Sequence, residues 1–373
     1  MSEQKRKYPP GQHPDLPPPL LMSGAIFWIR SNLLNSPLNV VLTVAAVFVL
    51  YQLVPAILNW AFFDAVFVAE SRKECLALGS GACWAFIGER SDQFIYGFYP
   101  AEHRWRVNLS FALMIVAVIP VLFAQIPGRG QLLWFAIAYP VIAFFLLVGN
   151  TILGLEPVET SRFGGFMLTM IVGITGIVVS LPIGILLALG RQSEMPAVRT
   201  LSVLFIEFIR GVPLITLLFV ASTMLNYFLP PGTTFDLLLR VLIMVTLFSS
   251  AYIAEVVRGG LQAIPSGQVE AANSLGLRYW DSMRLIILPQ ALKISIPGIV
   301  NTFIGLFKDT TLVSIIGLLD PLGIGRASIS DIKWSGLATE VYVFIGAFFF
   351  ICCFSMSRYS LYLERKLETG HQK

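Results

Sequence analysis

The segment Gly267–Trp280, GQVEAANSLGLRYW, is a polar interruption in a strongly apolar chain, and it lies within a longer polar stretch, 259–290. The 373 residues are 56% hydrophobic and only 13% charged, with a mean hydropathy of +0.75. Soluble domains of ordinary composition carry about 25% charged residues. Lipid must therefore be the solvent for much of this chain. The polar segment is predicted to lie outside the bilayer.

Eight apolar runs are long enough to cross a bilayer, because about 20 helical residues span about 30 Å of hydrocarbon. This pattern predicts an all-α integral membrane protein with about eight transmembrane helices. The predicted spans are 38–62, 107–126, 131–153, 165–190, 201–229, 237–258, 291–315 and 340–363.

The distribution of Lys and Arg predicts the orientation of these spans, because cytosolic loops carry an excess of both residues. With the N-terminus inside, sixteen of the 26 Lys and Arg residues fall on the cytosolic side. Five of the other ten lie in one long external loop, where charges have less influence. Both termini and the stretch 259–290 are therefore predicted to be cytosolic.

Three regions are predicted along the chain. Residues 1–37 form a polar, Pro-rich cytosolic tail with no signal-peptide pattern. Residues 38–157 form an accessory three-span region with a periplasmic loop, 63–106. Residues 158–373 contain five spans with short connections and the cytosolic segment 259–290. The third region is denser in positioned polar residues, so we expect transport chemistry or coupling there.

Few residue patterns in the chain are typical of catalysis or metal binding. No metal-ligand spacing occurs, and no phosphate-binding GxxxxGK[ST] loop, so ATP would be bound by another chain. The basic residues form no stripe, which argues against a nucleic-acid partner. Cys75 and Cys83 lie in the external loop, where an oxidising periplasm permits a disulfide. Two free thiols are the alternative.

Within the polar segment, the residue order predicts two short helices. Ser266 is a suitable N-cap, Glu270 in the first turn suits the helix dipole, and Gly276 suits the C′ position. A second helix begins near Arg278, and Pro289 begins the turn back into the membrane. The small residues of the first helix favour docking in a partner's groove, whereas a helix lying on lipid headgroups is the alternative.

Four motifs, in the order in which they occur along the chain, resemble those of the permease subunits of bacterial polar amino-acid ABC importers. They are EFIRGVPLI (207–215), IPSGQVEAANSLGL (264–277), IILPQALKISIPGIVN (286–301) and LFKDTTLVSIIG (306–317). Thr311 departs conservatively from the family's usual Lys-Asp-Thr-Ser. The resemblance covers about 160–365. The three additional spans resemble the larger permease subunits of general L-amino-acid importers.

The resemblance implies a type I ABC importer permease core in the last five spans, located in the bacterial inner membrane. It implies a second permease, identical or different, two cytosolic ATPase subunits that bind ATP, and a periplasmic amino-acid-binding protein. This chain would have no cofactor and no catalytic role. The ATPase-coupling residues would be Glu270, Ala271, Ala272, Gly276, Leu288, Pro289 and Gln290.

Other polar positions are candidates for the translocation pathway or a gate. Lys308, Asp309 and Thr310 lie deep in the seventh span, where an unpartnered charge costs about 2.5–3.5 kcal/mol. A structural ion pair at a broken helix is the alternative there. Glu207 and Arg210 are spaced for a pair along one helix face, and they anchor the helix end, contact the coupling helix or form an inner gate. A rival function is an ion-coupled secondary transporter, although no internal repeat is evident.

Overall fold

The structure, a computed structural model, describes residues 24–123, 125–224, 227, 230 and 235–367 of the chain. Every regular element in this part of the chain is helical, which confirms the predicted all-α class. The α-helices are α1 (Ala25–Asn32), α2 (Pro37–Leu58), α3 (Arg72–Leu78), α4 (Ala85–Glu89), α5 (Ser91–Tyr96), α6 (Arg104–Leu122), α7 (Arg129–Val148), α8 (Gly165–Arg191), α9 (Pro196–Gly211), α10 (Leu214–Phe219), α11 (Leu237–Gln262), α12 (Ser266–Ser274), α13 (Tyr279–Ser282), α14 (Leu288–Asp309), α15 (Pro321–Ser328) and α16 (Ala338–Leu367).

Seven helical segments of the described residues are long and apolar enough to cross a membrane, and a bent pair of helices raises the number to eight. The bent pair replaces the single span predicted at 201–229: α9 and α10 meet at an angle of 101°. Val212 between them has extended backbone (φ −111°, ψ 132°), because a following proline, Pro213, disfavours the helical conformation. Counted as one bent span, this pair brings the described residues to the eight spans that the sequence predicts.

The polar tail predicted for residues 1–37 is only partly described, because residues 1–23 lie outside the described residues. Residues 25–32 form helix α1, so the end of the predicted tail is helical. Ser36 then caps α2 by accepting a hydrogen bond from the backbone N–H of Asn39 (3.2 Å). Pro37 occupies the first turn, where a missing N–H costs nothing.

The chain divides into two compact units: the residues up to Phe67 with Glu74–Cys83, and Val68–Lys73 with the residues from Trp84 onward. Helices α6 and α7 belong to the same unit as the last five spans. In the first unit a disulfide joins Cys75 to Cys83, with their Cα atoms 5.8 Å apart. No residue of α2 is buried by the described chain, which leaves its apolar surface to lipid or a partner chain.

In the second unit, α8, α11 and α14 pack closely through small residues. A Cβ atom on Gly184 would lie 2.6 Å from Ile253 Cγ2 and 2.9 Å from the Ser250 carbonyl oxygen of α11. A Cβ atom on Gly260 would lie 2.5 Å from the carbonyl oxygen of Ala291 in α14. Glycine at these positions therefore lets the three helix backbones approach one another.

The loop predicted at 63–106 is largely ordered, since it contains α3, α4 and α5. Its second half packs against the connection between α15 and α16, at the end of α14 that is remote from the polar segment. Phe86, Phe94 and Trp334 are buried there, with the Phe86 and Trp334 ring centroids 5.6 Å apart. An ion pair between Arg90 and Asp331 (2.5 Å) closes the same contact.

Glu89 completes this contact by accepting hydrogen bonds from Lys333 Nζ (3.0 Å) and Trp334 Nε1 (3.2 Å). Burial raises the pKa of Glu89, but these hydrogen bonds and the nearby cations outweigh burial and hold it below its usual value. The indole and ammonium groups therefore bind the carboxylate form.

Asp320 is the N-cap of α15 and is fully buried. Its Oδ1 accepts a hydrogen bond from the backbone N–H of Gly323 (2.8 Å). Burial raises the pKa of Asp320 to about 6, although backbone hydrogen bonds from Gly323 and Leu322 act in the opposite direction. This connection, outside the spans, therefore contains a carboxyl group that titrates near neutral pH.

Candidate functional site

The polar stretch folds as the helix α12, followed by a sharp reversal at Gly276. Ser266 is the first helical residue rather than the predicted N-cap, because Pro265 occupies the capping position and no side chain caps it. At the other end, the N–H of Leu277 bonds to the carbonyl of Ala272 (3.2 Å), and the N–H of Gly276 bonds to that of Asn273 (2.9 Å). With Gly276 at φ 73°, these two bonds form a Schellman motif.

The two alanines of α12 face in different directions. Ala272 is fully buried, whereas Ala271, Glu270 and Gly276 are exposed. The exposed surface of the segment also includes large apolar side chains, among them Leu275 (75% exposed) and Trp280 (65% exposed). Helix α12 therefore packs on the chain through Ala272, and the segment leaves an acidic and apolar surface available for a partner.

The sequence predicts a turn at Pro289, but the chain does not turn there. Residues 279–316 form one long helical segment, in which the π-helical turn Met283–Ile287 joins α13 to α14. Leu288 N–H bonds to the carbonyl of Met283, five residues back. A wider π turn directly before a proline accommodates the ring without breaking the helix. The second half of the polar segment, from Tyr279 onward, is thus helically continuous with a span.

Gln290 fastens α12 to the start of α14. Its side-chain Nε2 lies 3.3 Å from Gln268 Oε1 and 2.9 Å from the carbonyl oxygen of Ile286. Leu288 beside it is half-buried and Pro289 is exposed. Of the predicted coupling residues, the structure therefore brings Gln290 to α12 directly and keeps Glu270 and Ala271 on the outer surface.

An ion network joins the ends of α8, α9 and α11 nearby. Glu255 contacts three arginines: Arg258 along its own helix, Arg191 at 3.3 Å and Arg210 at 3.6 Å. Glu207 pairs with Arg191 at 2.8 Å and not with Arg210, so the predicted pair along α9 is replaced by contacts between helices. Arg191 was missed from the sequence because its partners lie on other helices.

A cleft of about 320 Å³ lies between α11 and α14 and is lined mainly by polar and aromatic side chains. Its lining residues are Phe248, Ser249, Tyr252, Asn301, Thr302, Gly305, Leu306 and Asp309. The Arg210 guanidinium lies 5.7 Å from the centre of the Tyr252 ring, so the ion network reaches a residue of the cleft. The spacing of Asn301, Gly305 and Asp309 places them on one face of α14.

The three predicted residues of the seventh span separate in the structure. Asp309 lines the cleft, Lys308 is exposed on another side of α14, and Thr310 is buried with its hydroxyl donating to the Phe307 carbonyl (2.7 Å). No ion pair between Lys308 and Asp309 occurs among the described residues. Only Asp309 of these three therefore faces the cleft.

Arg240 is a second residue that the sequence did not single out. It lies in the first turn of α11, is 9% exposed, and donates through Nη1 to the carbonyls of Ala221 (3.0 Å) and Ser222 (2.8 Å). Those carbonyls belong to the π-helical turn that follows α10, so Arg240 stabilises the bent pair. Its position at the start of a span was the only signal in the sequence.

A polar cleft between two spans, an ion network at its end and a polar helix fastened to one of those spans define a membrane transport subunit. Residues 180–369, just over half of the chain, match the family of inner membrane components of binding-protein-dependent transport systems. The chain therefore belongs to this family, and it is a multi-pass protein of the inner membrane.

Two relatives align with almost the whole chain. The glutamate/glutamine/aspartate/asparagine transport system permease protein BztC of Rhodobacter capsulatus is 48% identical, over 95% of this chain and 96% of its own length. The inner membrane amino-acid ABC transporter permease protein YhdY of Escherichia coli K12 is 51% identical, over 96% of this chain and 97% of its own. These similarities place the chain among the amino-acid ABC transporter permeases, which are transport components and not enzymes.

One solved structure is also similar, that of an amino acid ABC transporter with histidines. It is 30% identical and covers 54% of this chain and 91% of the solved chain, with a TM-score of 0.48.

Proposed function

We propose that this chain is the membrane subunit of an ATP-driven importer of L-amino acids, coupled to separate ATPase subunits through α12 and Gly276. The observation that carries this proposal is the hydrogen-bonded connection from α12 to the helix that lines the cleft. Gln290 bonds α12 to α14, and α14 is continuous with the polar segment and lines the cleft with Asp309. A displacement of α12 is therefore transmitted to the cleft through one helix.

The outer surface of α12 supports docking in a protein groove. Glu270 and Ala271 are exposed beside the apolar side chain of Leu275, and the helix ends in a Schellman motif. A helix lying on lipid headgroups carries Lys or Arg on its polar face, and α12 has neither. We place this surface in the cytosol, because the Lys and Arg excess lies on the same side of the membrane.

The cleft supports recognition of a zwitterionic amino acid. The carboxylate of Asp309 suits the substrate's ammonium group, and Arg210 beside Tyr252 supplies a positive charge for its carboxylate. BztC is described as a permease for glutamate, glutamine, aspartate and asparagine, and we propose the same class of short polar amino acids here. Lys308 would instead contact the second permease, because a charge in a span needs a partner.

The ion network is proposed to form the inner gate of this pathway. Glu255, Arg191 and Glu207 join three helices at the end of the cleft that lies toward α12. When ATP closes the ATPase dimer, α12 of this chain and that of its partner approach, α14 moves relative to α11, and the cleft opens outward. The partners would be a second permease, the same or different, two ATPases and a periplasmic binding protein.

Reconstitution tests this function against an ion-coupled secondary transporter. The full chain, purified with its co-expressed partner subunits, is placed in vesicles, and uptake of labelled glutamate is measured with and without internal ATP. We expect uptake only with ATP and binding protein, and none by the chain alone under a proton or sodium gradient. Gradient-driven uptake by the chain alone would show that the ATPase is dispensable and the proposal wrong.

Two substitutions then locate the coupling surface. Glu270→Arg is expected to abolish substrate-stimulated ATP hydrolysis, because it reverses the charge on the exposed face of α12 while leaving Ala272 packed. Asp281→Arg, at an exposed position of the short helix α13, is the matched charge-reversal control and should retain most activity. If both variants showed equal substrate-stimulated ATP hydrolysis, α12 would not be the docking helix.

A further inference from the structure

The hydroxyl groups of α11 and α14 differ in whether their own helix satisfies them. Thr302 Oγ1 of α14 donates to the carbonyl oxygen of Gly298 (2.9 Å), one turn earlier. Ser250 Oγ of α11 donates in the same way to the carbonyl oxygen of Thr246 (2.6 Å). Ser249 is 2% exposed, yet its Oγ has no hydrogen-bond partner among the described residues. Because a buried hydroxyl without a partner is costly, we expect Ser249 to bond a molecule outside the described chain.

Ser249 lies on the wall of the cleft between α11 and α14, at about the level of Gly305. The two helices are antiparallel, and a Cβ atom on Gly298 of α14 would lie 2.6 Å from Val256 Cγ1 of α11. Ser249 is seven residues before Val256, and Gly305 is seven residues after Gly298. Because the rise per residue is the same in both helices, Ser249 and Gly305 are at similar depths in the cleft.

The cleft is open beside Gly305. A Cβ atom on this residue would have no contact within 4 Å outside its own stretch of α14. Asn301 and Asp309 lie one turn away on either side of Gly305, and all three line the cleft. A ligand whose ammonium group contacts Asp309 can therefore extend past Gly305 and Ser249 toward Asn301.

Asn301 is the second polar group of this part of the cleft with free hydrogen-bonding capacity. Its side chain is exposed and forms no hydrogen bond within the part of the chain that the structure describes. A hydroxyl and a carboxamide each donate and accept hydrogen bonds, so the pair Ser249 and Asn301 suits a carboxylate and a carboxamide alike. No Lys or Arg is found among the described residues that line the cleft, and either would favour the carboxylate.

We propose that Ser249 and Asn301 bind the polar end of the substrate's side chain, and that this neutral pair makes the cleft accept glutamate and glutamine with similar affinity. The inference rests on the proposed function, in which Asp309 binds the substrate's ammonium group. It adds two residues that determine specificity, with the substrate's side chain lying over Gly305.

Amino-acid binding to the complex without its binding protein tests this assignment. The full chain with its co-purifying subunits is placed in nanodiscs, and thermal stability is recorded against glutamine or glutamate concentration, which gives an apparent Kd for each. For the wild type we expect the two Kd values to agree within about threefold. Asn301→Asp should weaken glutamate binding at least about tenfold relative to glutamine, because two carboxylates then repel each other. Asn301→Ser keeps a donor and an acceptor and should retain the wild-type ratio.

The two neighbouring serines of α11 provide a matched pair of variants. Ser249→Ala should raise both Kd values by about two- to tenfold, because it removes one hydrogen bond to either ligand. Ser250→Ala removes a hydroxyl that bonds the Thr246 carbonyl and does not line the cleft, so it should leave both Kd values unchanged.

Several results would overturn the assignment. They are an unchanged glutamate-to-glutamine ratio in Asn301→Asp, the same shifted ratio in Asn301→Ser, equal Kd values in Ser249→Ala and Ser250→Ala, or no saturable stabilisation of the wild type by either amino acid. ATP-driven uptake of labelled glutamine by the wild-type complex with binding protein is measured in parallel. Normal uptake together with any of these results would remove this inference alone, whereas the absence of ATP-driven uptake would remove the proposed function and this inference with it.

Discussion

Gln290 Nε2 lies 3.3 Å from Gln268 Oε1, so the first turn of α14 is bonded directly to the first turn of α12. The two residues are 22 positions apart in sequence. Because Gln290 also bonds the carbonyl of Ile286 at 2.9 Å, its side chain is held in place from both sides. This contact links the exposed helix to the span that lines the cleft.

Removal of this contact is expected to weaken coupling without dispersing the complex. A net hydrogen bond is worth about 0.5–1.5 kcal/mol, so Gln290→Ala should reduce substrate-stimulated ATP hydrolysis by about two- to tenfold. The double variant with Gln268→Ala should be no worse than Gln290→Ala, because both remove the same bond. If the losses of ATP hydrolysis in the two single variants were fully additive in the double variant, a direct link between Gln268 and Gln290 would be contradicted. Gln192→Ala, at an exposed position at the end of α8, is the control.

Loss of the Glu255 charge is expected to affect stability more than loss of the Glu207 charge. Glu255 contacts three arginines, whereas the one contact found for Glu207 among the described residues is Arg191. Because Glu255 is partly exposed, we expect Glu255→Gln to cost about 1–3 kcal/mol, less than a fully buried pair. Thermal unfolding in detergent measures this. Glu194→Gln, at an exposed site, is the control. Equal shifts in melting temperature for Glu207→Gln and Glu255→Gln would contradict a network centred on Glu255.

Close packing of α8 on α11 predicts opposite effects of two glycine substitutions. Gly184→Ala is expected to destabilise by about 1–3 kcal/mol, because its Cβ would lie 2.9 Å from the Ser250 carbonyl oxygen, which is backbone and cannot move freely. Gly346→Ala in α16 meets nothing within 4 Å and should be neutral or stabilising by up to about 1 kcal/mol. Similar melting temperatures for both variants would argue against tight packing at Gly184.

The raised pKa of Asp320 predicts that the folding stability of the protein falls as the pH rises from about 4 to above 6. Its folded-state pKa, about 6, lies above the ordinary value, so the folded protein holds the proton more tightly than the unfolded chain. The stabilisation from protonated Asp320 is therefore fully present at low pH. It is lost as the carboxyl ionises, and the free energy of unfolding then falls by about 2–3 kcal/mol. Asp320→Asn should flatten this dependence between about pH 4 and 7 while still accepting the bond from Gly323. An unchanged pH profile in the variant would contradict a buried titrating group.

Asp309 is expected to contribute to substrate affinity through its charge. Asp309→Asn removes the carboxylate from the cleft and should raise the substrate concentration for half-maximal transport by about 10- to 150-fold, because charge-assisted hydrogen bonds are worth about 1.5–3 kcal/mol. Thr311→Val, at a half-buried position whose hydroxyl bonds only the Lys308 carbonyl among the described residues, is the neighbouring control. Transport kinetics in vesicles would decide, and an equal change in both variants would assign the effect to helix distortion.

Much of the fold followed from hydropathy alone. The apolar runs predicted at 165–190, 237–258 and 340–363 match α8, α11 and α16 to within a few residues at each end, because lipid requires about 20 continuous apolar residues. Gly276 at the end of α12 was also readable, because a positive φ at a helix end favours glycine. These signals are local, so a single sequence contains them.

Contacts between distant residues were not readable in the same way. The bend at Val212–Pro213 lies inside the span predicted at 201–229, where hydropathy gives no sign of a 101° change of direction. Arg191 and Glu207 were each visible, but their pairing depends on how α8 packs against α9. The proline at 289 indicated a break, yet the preceding π turn absorbed it.

The sequence by itself determined that the chain is a helical membrane protein, where its spans lie, and which polar segment stays outside them. The physical reason is that lipid selects long apolar helices regardless of their neighbours. Tertiary structure alone decided which polar residues meet. It placed Asp309, but not Lys308, in the cleft, and it placed Gln290 against Gln268, because these positions depend on helix rotation and close packing between segments far apart in the chain.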